Sequence, residues 1–148
     1  MAQQHIDEQA WSPASPETVY ALLADGSSWP TWSGIDSFEL REPGDTGGES
    51  LNAVRVFRTG RTTSVERLVE LVPGRRLSYA LLEGLPLWDY RADVDLTPVD
   101  AGTMIHWRST FEAKRPGTGP LYRLVLSRFI RKAVRGLAEH AAFVREAA

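Results

Sequence analysis

The 148-residue sequence contains no cysteine, which rules out disulfides, a thiol nucleophile and any cysteine-bound metal. Histidine is scarce. His5, His106 and His140 show no metal-ligand spacing, so a zinc centre with three protein ligands is not expected. No apolar run approaches the ~20 residues of a membrane-spanning helix. The first residues, MAQQHIDEQAW, lack the basic-then-apolar order of a signal peptide. A cytoplasmic location is therefore expected, and no cofactor. An excess of one charge is missing too: 17 basic against 19 acidic residues leave a net −2, which gives no global drive toward nucleic acid or an anionic membrane. G-x-S-x-G, P-loop, G-x-G-x-x-G and H-E-x-x-H motifs are all absent. Gly44-Asp45-Thr46-Gly47-Gly48 has neither the lysine nor the following helix of a phosphate site, and reads as a loop.

What remains is an ordinary globular composition, 43% hydrophobic and 24% charged. A chain of this length suits one domain over 1–148, able to bury about 68–70% of its unfolded surface without staples. Ser15-Pro16-Glu17 opens a helix: the serine caps, the proline fits the first helical position, and the glutamate complements the dipole. Val19, Leu22 and Leu23 continue it at helical spacing until Asp25-Gly26. In SSWPTWSGI, Pro30 and Gly34 exclude a long helix, and WPTW reads as one further helical turn.

From about residue 35 to 113 the period falls to two. Trp88, Tyr90, Ala92, Val94 and Leu96 alternate with Asp89, Arg91, Asp93 and Asp95, as in a strand with one dry face. Thr103, Ile105, Trp107, Ser109 and Phe111 form a second inward row, and Leu77, Tyr79 and Leu81 a third. Turn signals divide the region into about six antiparallel strands, with a seventh near Gln4–Trp11. Strand 62–72 is ambiguous, since Val65, Arg67, Val69 and Leu71 face one way and Glu66, Leu68, Glu70 and Val72 the other. Arg55 and Arg67 have two readings. Turned inward, either would need pairing and would suit a ligand carboxylate or enolate. Turned outward, they form cross-strand pairs with glutamates.

Pro120 to about Glu146 reads as one long helix whose apolar stripe holds Tyr122, Leu126, Phe129, Ala133, Gly136, Leu137, His140 and Val144. Its back is basic, a solvated face. A single helix must then cover the dry side of a seven-stranded sheet that twist tends to curl. Gly136 in mid-stripe also has two readings. It removes volume and so favours a void, or it lets the helix approach a bulky strand residue such as Trp107. The inward aromatics Tyr79, Trp88, Tyr90, Trp107 and Phe111 suit either a ligand wall or an aromatic core.

This arrangement, carried by SPETVYALLADGSSWPTWSGI, VERLVELVPGRRLSY and GTMIHWRSTFEA, resembles the START/Bet v 1-like helix-grip superfamily. More narrowly it is similar to the bacterial polyketide cyclase/dehydrase and lipid-transport (SRPBCC) family, over essentially the whole chain. The resemblance implies an α+β helix-grip fold: a curved antiparallel sheet of seven strands around a long C-terminal helix, with two short helices after the first strand. It also implies a pocket for a small hydrophobic ligand, whether lipid, polyketide or other aromatic molecule. In such a fold the WPTW turn closes one end, so Trp32 is expected to line the pocket and Trp29 to pack between the short helices. The expected ligand-binding set is Trp32, Tyr79, Trp88, Tyr90, Trp107, Phe111, Phe129, Gly136 and Arg67. The alternative is a cyclase or dehydratase, with Tyr79, Tyr90 and Arg67 as acid and anion holder and Asp36 or Glu66 as base. Expected partners are a small hydrophobic or aromatic molecule and a second copy in a homodimer, with no nucleic acid and no membrane span; a role as the partner of another polypeptide stays open beside these.

Overall fold

The computed structural model describes residues 2–147. Seven strands form one antiparallel sheet: β1 (Gln4–Ser12), β2 (Ser37–Glu42), β3 (Val54–Thr59), β4 (Thr62–Val72), β5 (Arg76–Glu83), β6 (Leu87–Val99) and β7 (Gly102–Ala113). Their spatial order is β1-β7-β6-β5-β4-β3-β2, so only the β1–β7 pairing is non-sequential. Between β1 and β2 lie α1 (Pro16–Ala24), a single 3-10 turn (Gly26–Ser28) and α2 (Trp29–Trp32), and the long α3 (Gly119–Ala147) closes the chain. The helix-grip architecture expected from the sequence is present.

Local chemistry explains the helix starts. The Ser15 hydroxyl accepts the Thr18 amide at 3.2 Å, and Pro16 takes the first turn. Asp25 does the same for the next turn, with its carboxylate accepting the Ser27 amide at 3.1 Å. On α3, Ile130, Ala133, Val134, Leu137 and Ala141 are buried against the sheet. Ser12 Oγ, in β1, donates to the Ala138 carbonyl at 2.8 Å and ties strand to helix.

Three bulges decide which side chains face in. On β6, pairing steps from Trp88–Glu112 to Arg91–Thr110, so one extra residue sits in β6. Asp89 absorbs it at φ 53, a left-handed conformation that Asp tolerates better than most residues. The strand therefore flips at this point: Leu87 and Tyr90 are buried, and Trp88 is 52% exposed with Lys114 Nζ 4.4 Å above its ring. The inward Trp88 expected from strict alternation is corrected by that one residue.

On β4, pairing steps from Leu68–Tyr79 to Glu70–Ser78. The extra residue, Val69, lets both Leu68 and Leu71 turn toward the core. A further shift between Val65 and Glu66 places the additional residue in β5. Strand 62–72 has no clean period because its face changes. Arg67 pairs with Val54, and Val65 with Val56; these valines form a separate cluster on the outer side of the sheet. Arg67 shares that outer face, which corrects its place in the expected ligand-binding set. Outward cross-strand pairs are present: Arg91 Nη2 reaches Glu70 at 2.8 Å and Arg76 Nε reaches Asp95 at 2.6 Å.

Candidate functional site

The sheet's inner face and α3 meet unevenly. Near α2 they are sealed by aromatic rings. Trp29 packs on Trp32 and Phe57, each with centroids 4.8 Å away, and meets Trp107 edge-on at 5.6 Å. Trp29 Nε1 donates to the Leu23 carbonyl at 3.0 Å, and Trp32 Nε1 to Ser28 Oγ at 3.1 Å, so both polar edges are satisfied. Gly136 belongs to this seal. A Cβ placed there would stand 1.9 Å from the Trp32 carbonyl oxygen. Its missing side chain admits the α2 backbone, correcting the void reading. The bulky neighbour it meets is that backbone, not Trp107.

Further along, the packing fails and a cavity of about 200 Å³ remains. Trp29, Phe57, Tyr79 and Tyr90 make its buried floor, and Val125, Thr59 and Thr62 lie exposed at its mouth. Leu85 and α3's Leu126 and Phe129 form the apolar wall; Ser64 and Glu66, behind Thr62, are polar groups of β4 deeper in the space.

Of the expected set, Tyr79, Tyr90 and Phe129 border this cavity. Trp107 and Phe111 are fully buried behind it, Trp107 donating its Nε1–H to the Tyr79 hydroxyl at 3.3 Å and Phe111 stacking on Tyr90 at 5.9 Å. Trp32 and Gly136 lie away from it, along an outer groove beside α3 that also holds His140. The order anticipated for the tryptophans is reversed: Trp29 lines the space and Trp32 plugs the end. Asp36, one of the two candidate bases, is exposed and accepts the Gly60 amide at 2.7 Å. Glu66, the other, faces the cavity.

Electrostatics concentrate beneath that carboxyl. Arg55 pairs with Glu66 in the β3–β4 register and is 0% exposed, the inward reading for this arginine. Its Nη1 donates to the Leu23 carbonyl at 3.0 Å and to Glu49 Oε1 at 3.3 Å. The guanidinium carbon lies 5.0 Å from the Trp29 ring and 5.1 Å from the Phe57 ring, cation–π positions that offset part of the cost of burial. Nε and Nη2 have no partner. Burial pushes the Glu66 carboxyl up to about 7, against the opposing pull of Arg55. Burial also raises Tyr79 strongly and Tyr90 to about 12, so both phenols keep their protons near neutrality. The site thus joins an apolar wall to one carboxyl that titrates near pH 7 and two hydroxyl donors. Among the described residues no group of three His, Cys, Asp or Glu side chains gathers to hold a metal ion, and no helix is long and apolar enough to cross a membrane.

Sequence reasoning missed Trp29, Phe57, Ser64 and Leu126 as cavity-lining residues. The signal for Phe57 was available: in VRVFRT it stands two residues from Arg55, on the same face of the strand, so fixing one side chain fixes the other.

The sequence matches the model of the polyketide cyclase/dehydrase and lipid transport family over residues 3–142. No curated protein matches it. Among solved structures, the ZhuI aromatase/cyclase from a Streptomyces species aligns with TM-score 0.80 at 17% identity, covering 95% of this chain and 94% of that one. A START superfamily protein from Mycobacterium smegmatis aligns with TM-score 0.80 at 14% identity, covering 95% and 98%. A protein from Thermobifida fusca aligns with TM-score 0.75 at 24% identity, covering 93% and 92%. At these identities the likeness is one of fold.

Proposed function

This chain belongs to the polyketide cyclase/dehydrase and lipid transport family, and we propose that it binds a small hydrophobic molecule of one or two rings between the sheet and α3. The observation that carries the reading is a cavity of about 200 Å³ walled by Trp29, Phe57, Leu126 and Phe129. Such a space is smaller than the roughly 300–1,000 Å³ that drug-sized ligands occupy. It exceeds the ~150 Å³ apolar cavity that stays dry and admits benzene. The wall favours flat aromatic guests over a two-chain lipid.

Naphthalene is a suitable probe. Near a hundredfold excess over its Kd it should raise the midpoint of thermal unfolding by about 8 °C. Leu126→Trp, which fills the space, should abolish that rise while keeping the near-ultraviolet circular dichroism of a folded chain. A wild-type protein that no mono- or bicyclic aromatic stabilises would defeat the reading.

One observation favours a second reading, acid–base catalysis of the cyclase or dehydratase type. Glu66 titrates near neutrality, where a general base is most useful, and the Tyr79 and Tyr90 hydroxyls are placed to steady an enolate. Tyr90→Phe separates the two. Lost turnover of a ketone substrate at unchanged affinity favours catalysis; a wild-type protein that binds the ketone without turning it over favours binding alone.

A further inference from the structure

One lining atom has no partner inside the protein. Glu66 Oε1 is shielded from solvent, faces no hydrogen-bond donor, and belongs to a carboxyl that borders the cavity. A buried polar atom without a partner costs stability unless something arrives to satisfy it. Arg55, opposite it on β3, gives only Nη1 to the Leu23 carbonyl and Glu49, and its Nε and Nη2 form no hydrogen bond to Glu66 or to any other described residue. The groups surrounding Glu66 are therefore its complement: Arg55 from β3, Tyr79 from β5 and Tyr90 from β6. Beyond them, Glu49 engages Arg55, and Tyr20 of α1 feels the same cation. From α3 only Val125, Leu126 and Phe129 approach, none of them titratable.

Resting on the binding function proposed above, the geometry points to a neutral ring-borne hydroxyl, a phenol or naphthol, that donates to Glu66 and accepts from a tyrosine hydroxyl at the same end of the cavity. The chemistry of the lining selects this class. A carbonyl accepts but cannot donate, so an ionised Glu66 would stay unpaired. A ligand carboxylate would oppose Glu66, and a ligand cation would oppose Arg55. A hydroxyl does both jobs at once. Tyr79 already accepts from Trp107 Nε1 at 3.3 Å and gives its proton toward Tyr90, which leaves the Tyr90 hydroxyl as the donor toward a guest. The aromatic floor and the narrow volume supply the preference for one or two flat rings.

Proton linkage follows. A hydroxyl donor binds the ionised carboxyl, so its affinity rises as Glu66 loses its proton. With titration near 7, the gain between pH 6 and pH 8 is about tenfold.

Three probes of matched shape test this by calorimetric titration: 2-naphthol, 2-methoxynaphthalene and naphthalene. At pH 8, 2-naphthol should bind at least about tenfold more tightly than 2-methoxynaphthalene, which accepts but does not donate. That ratio should shrink to near unity by pH 5.5, and E66Q should flatten its pH dependence. Equal binding of the two oxygenated probes at every pH overturns the inference while leaving the cavity's function standing, provided naphthalene binds. An unaltered pH dependence in E66Q overturns it as well. Failure of all three probes removes both readings together. Because the ratio is read within the wild-type protein, the test does not depend on how the variant folds.

Discussion

The two ends of the space beneath α3 hold similar numbers of aromatic rings and behave oppositely. At the α2 end, Trp29, Trp32 and Trp107 interlock, and the helix has given up a side chain at Gly136 to let the Trp32 carbonyl in. At the other end, Phe57, Tyr79 and Tyr90 face Leu126 and Phe129 with room left over. The small residue lies at the sealed end. The open end comes instead from the sheet, where Thr62, Ser64 and Glu66 occupy inward positions of β4, too short or too polar to reach α3. A glycine in a gripping helix marks close approach here, and the hollow is marked by short polar residues on the opposing strand.

The contrast is tested most severely at the sealed end. Trp107→Ala should cost about 3–5 kcal/mol in urea unfolding, the range for deleting a fully buried large aromatic. Gly136→Ala should come next, at about 2–3 kcal/mol. Its new methyl meets backbone that cannot rotate away, and this outweighs the ordinary helical gain of alanine over glycine. If Gly136→Ala stabilised the protein, the close approach would be disproved.

At the open end the expected effect changes sign. Burial holds the Glu66 carboxyl near 7 in the folded chain, against 4.5 as its ordinary value. A carboxyl with a raised native pKa binds more protons folded than unfolded, so its burden is absent below pH 4.5. The burden grows from there to pH 7 and is complete above it. Glu66→Gln removes the ionisation. It should leave stability unchanged at pH 4 and raise it by roughly 3 kcal/mol at pH 8. Chemical denaturation at the two pH values checks this, and a gain of the same size at both would show that the carboxyl's charge is not its cause.

The architecture was legible because its signals are local and repeated. Ser15-Pro16-Glu17 caps, WPTW makes one turn, and the rows ending in Leu96 and Phe111 keep their period over many residues. The site was legible only in part, since each error turned on one residue of register or one contact distant in sequence. The extra residue at Asp89 turned Trp88 outward, and the bulge at Val69 erased the period of β4 that would have sent Arg67 out and Glu66 in. The reversal of Trp29 and Trp32 depends on how α2 sits against Gly136, over a hundred positions away. Alternation constrains a face only between bulges, and no short-range pattern encodes the packing of one helix turn upon another.

Trp88 gives a small expected effect and the sharpest contrast with Trp107. Both occupy regular positions in an alternating row, and only the bulge separates their fates. Trp88→Ala removes an exposed ring and its contact with Lys114, worth about 0.5–1 kcal/mol at a surface site. Urea unfolding should therefore shift by no more than that, and naphthalene binding should be unaltered. A loss approaching that of Trp107→Ala would return Trp88 to the core and with it the unbroken alternation of β6. Asp89→Gly probes the same bulge from the backbone. Glycine adopts φ 53 without steric penalty, so this substitution should be neutral or gain a few tenths of a kcal/mol; if the strand ran straight there, glycine would weaken it by about 0.5–1 kcal/mol instead.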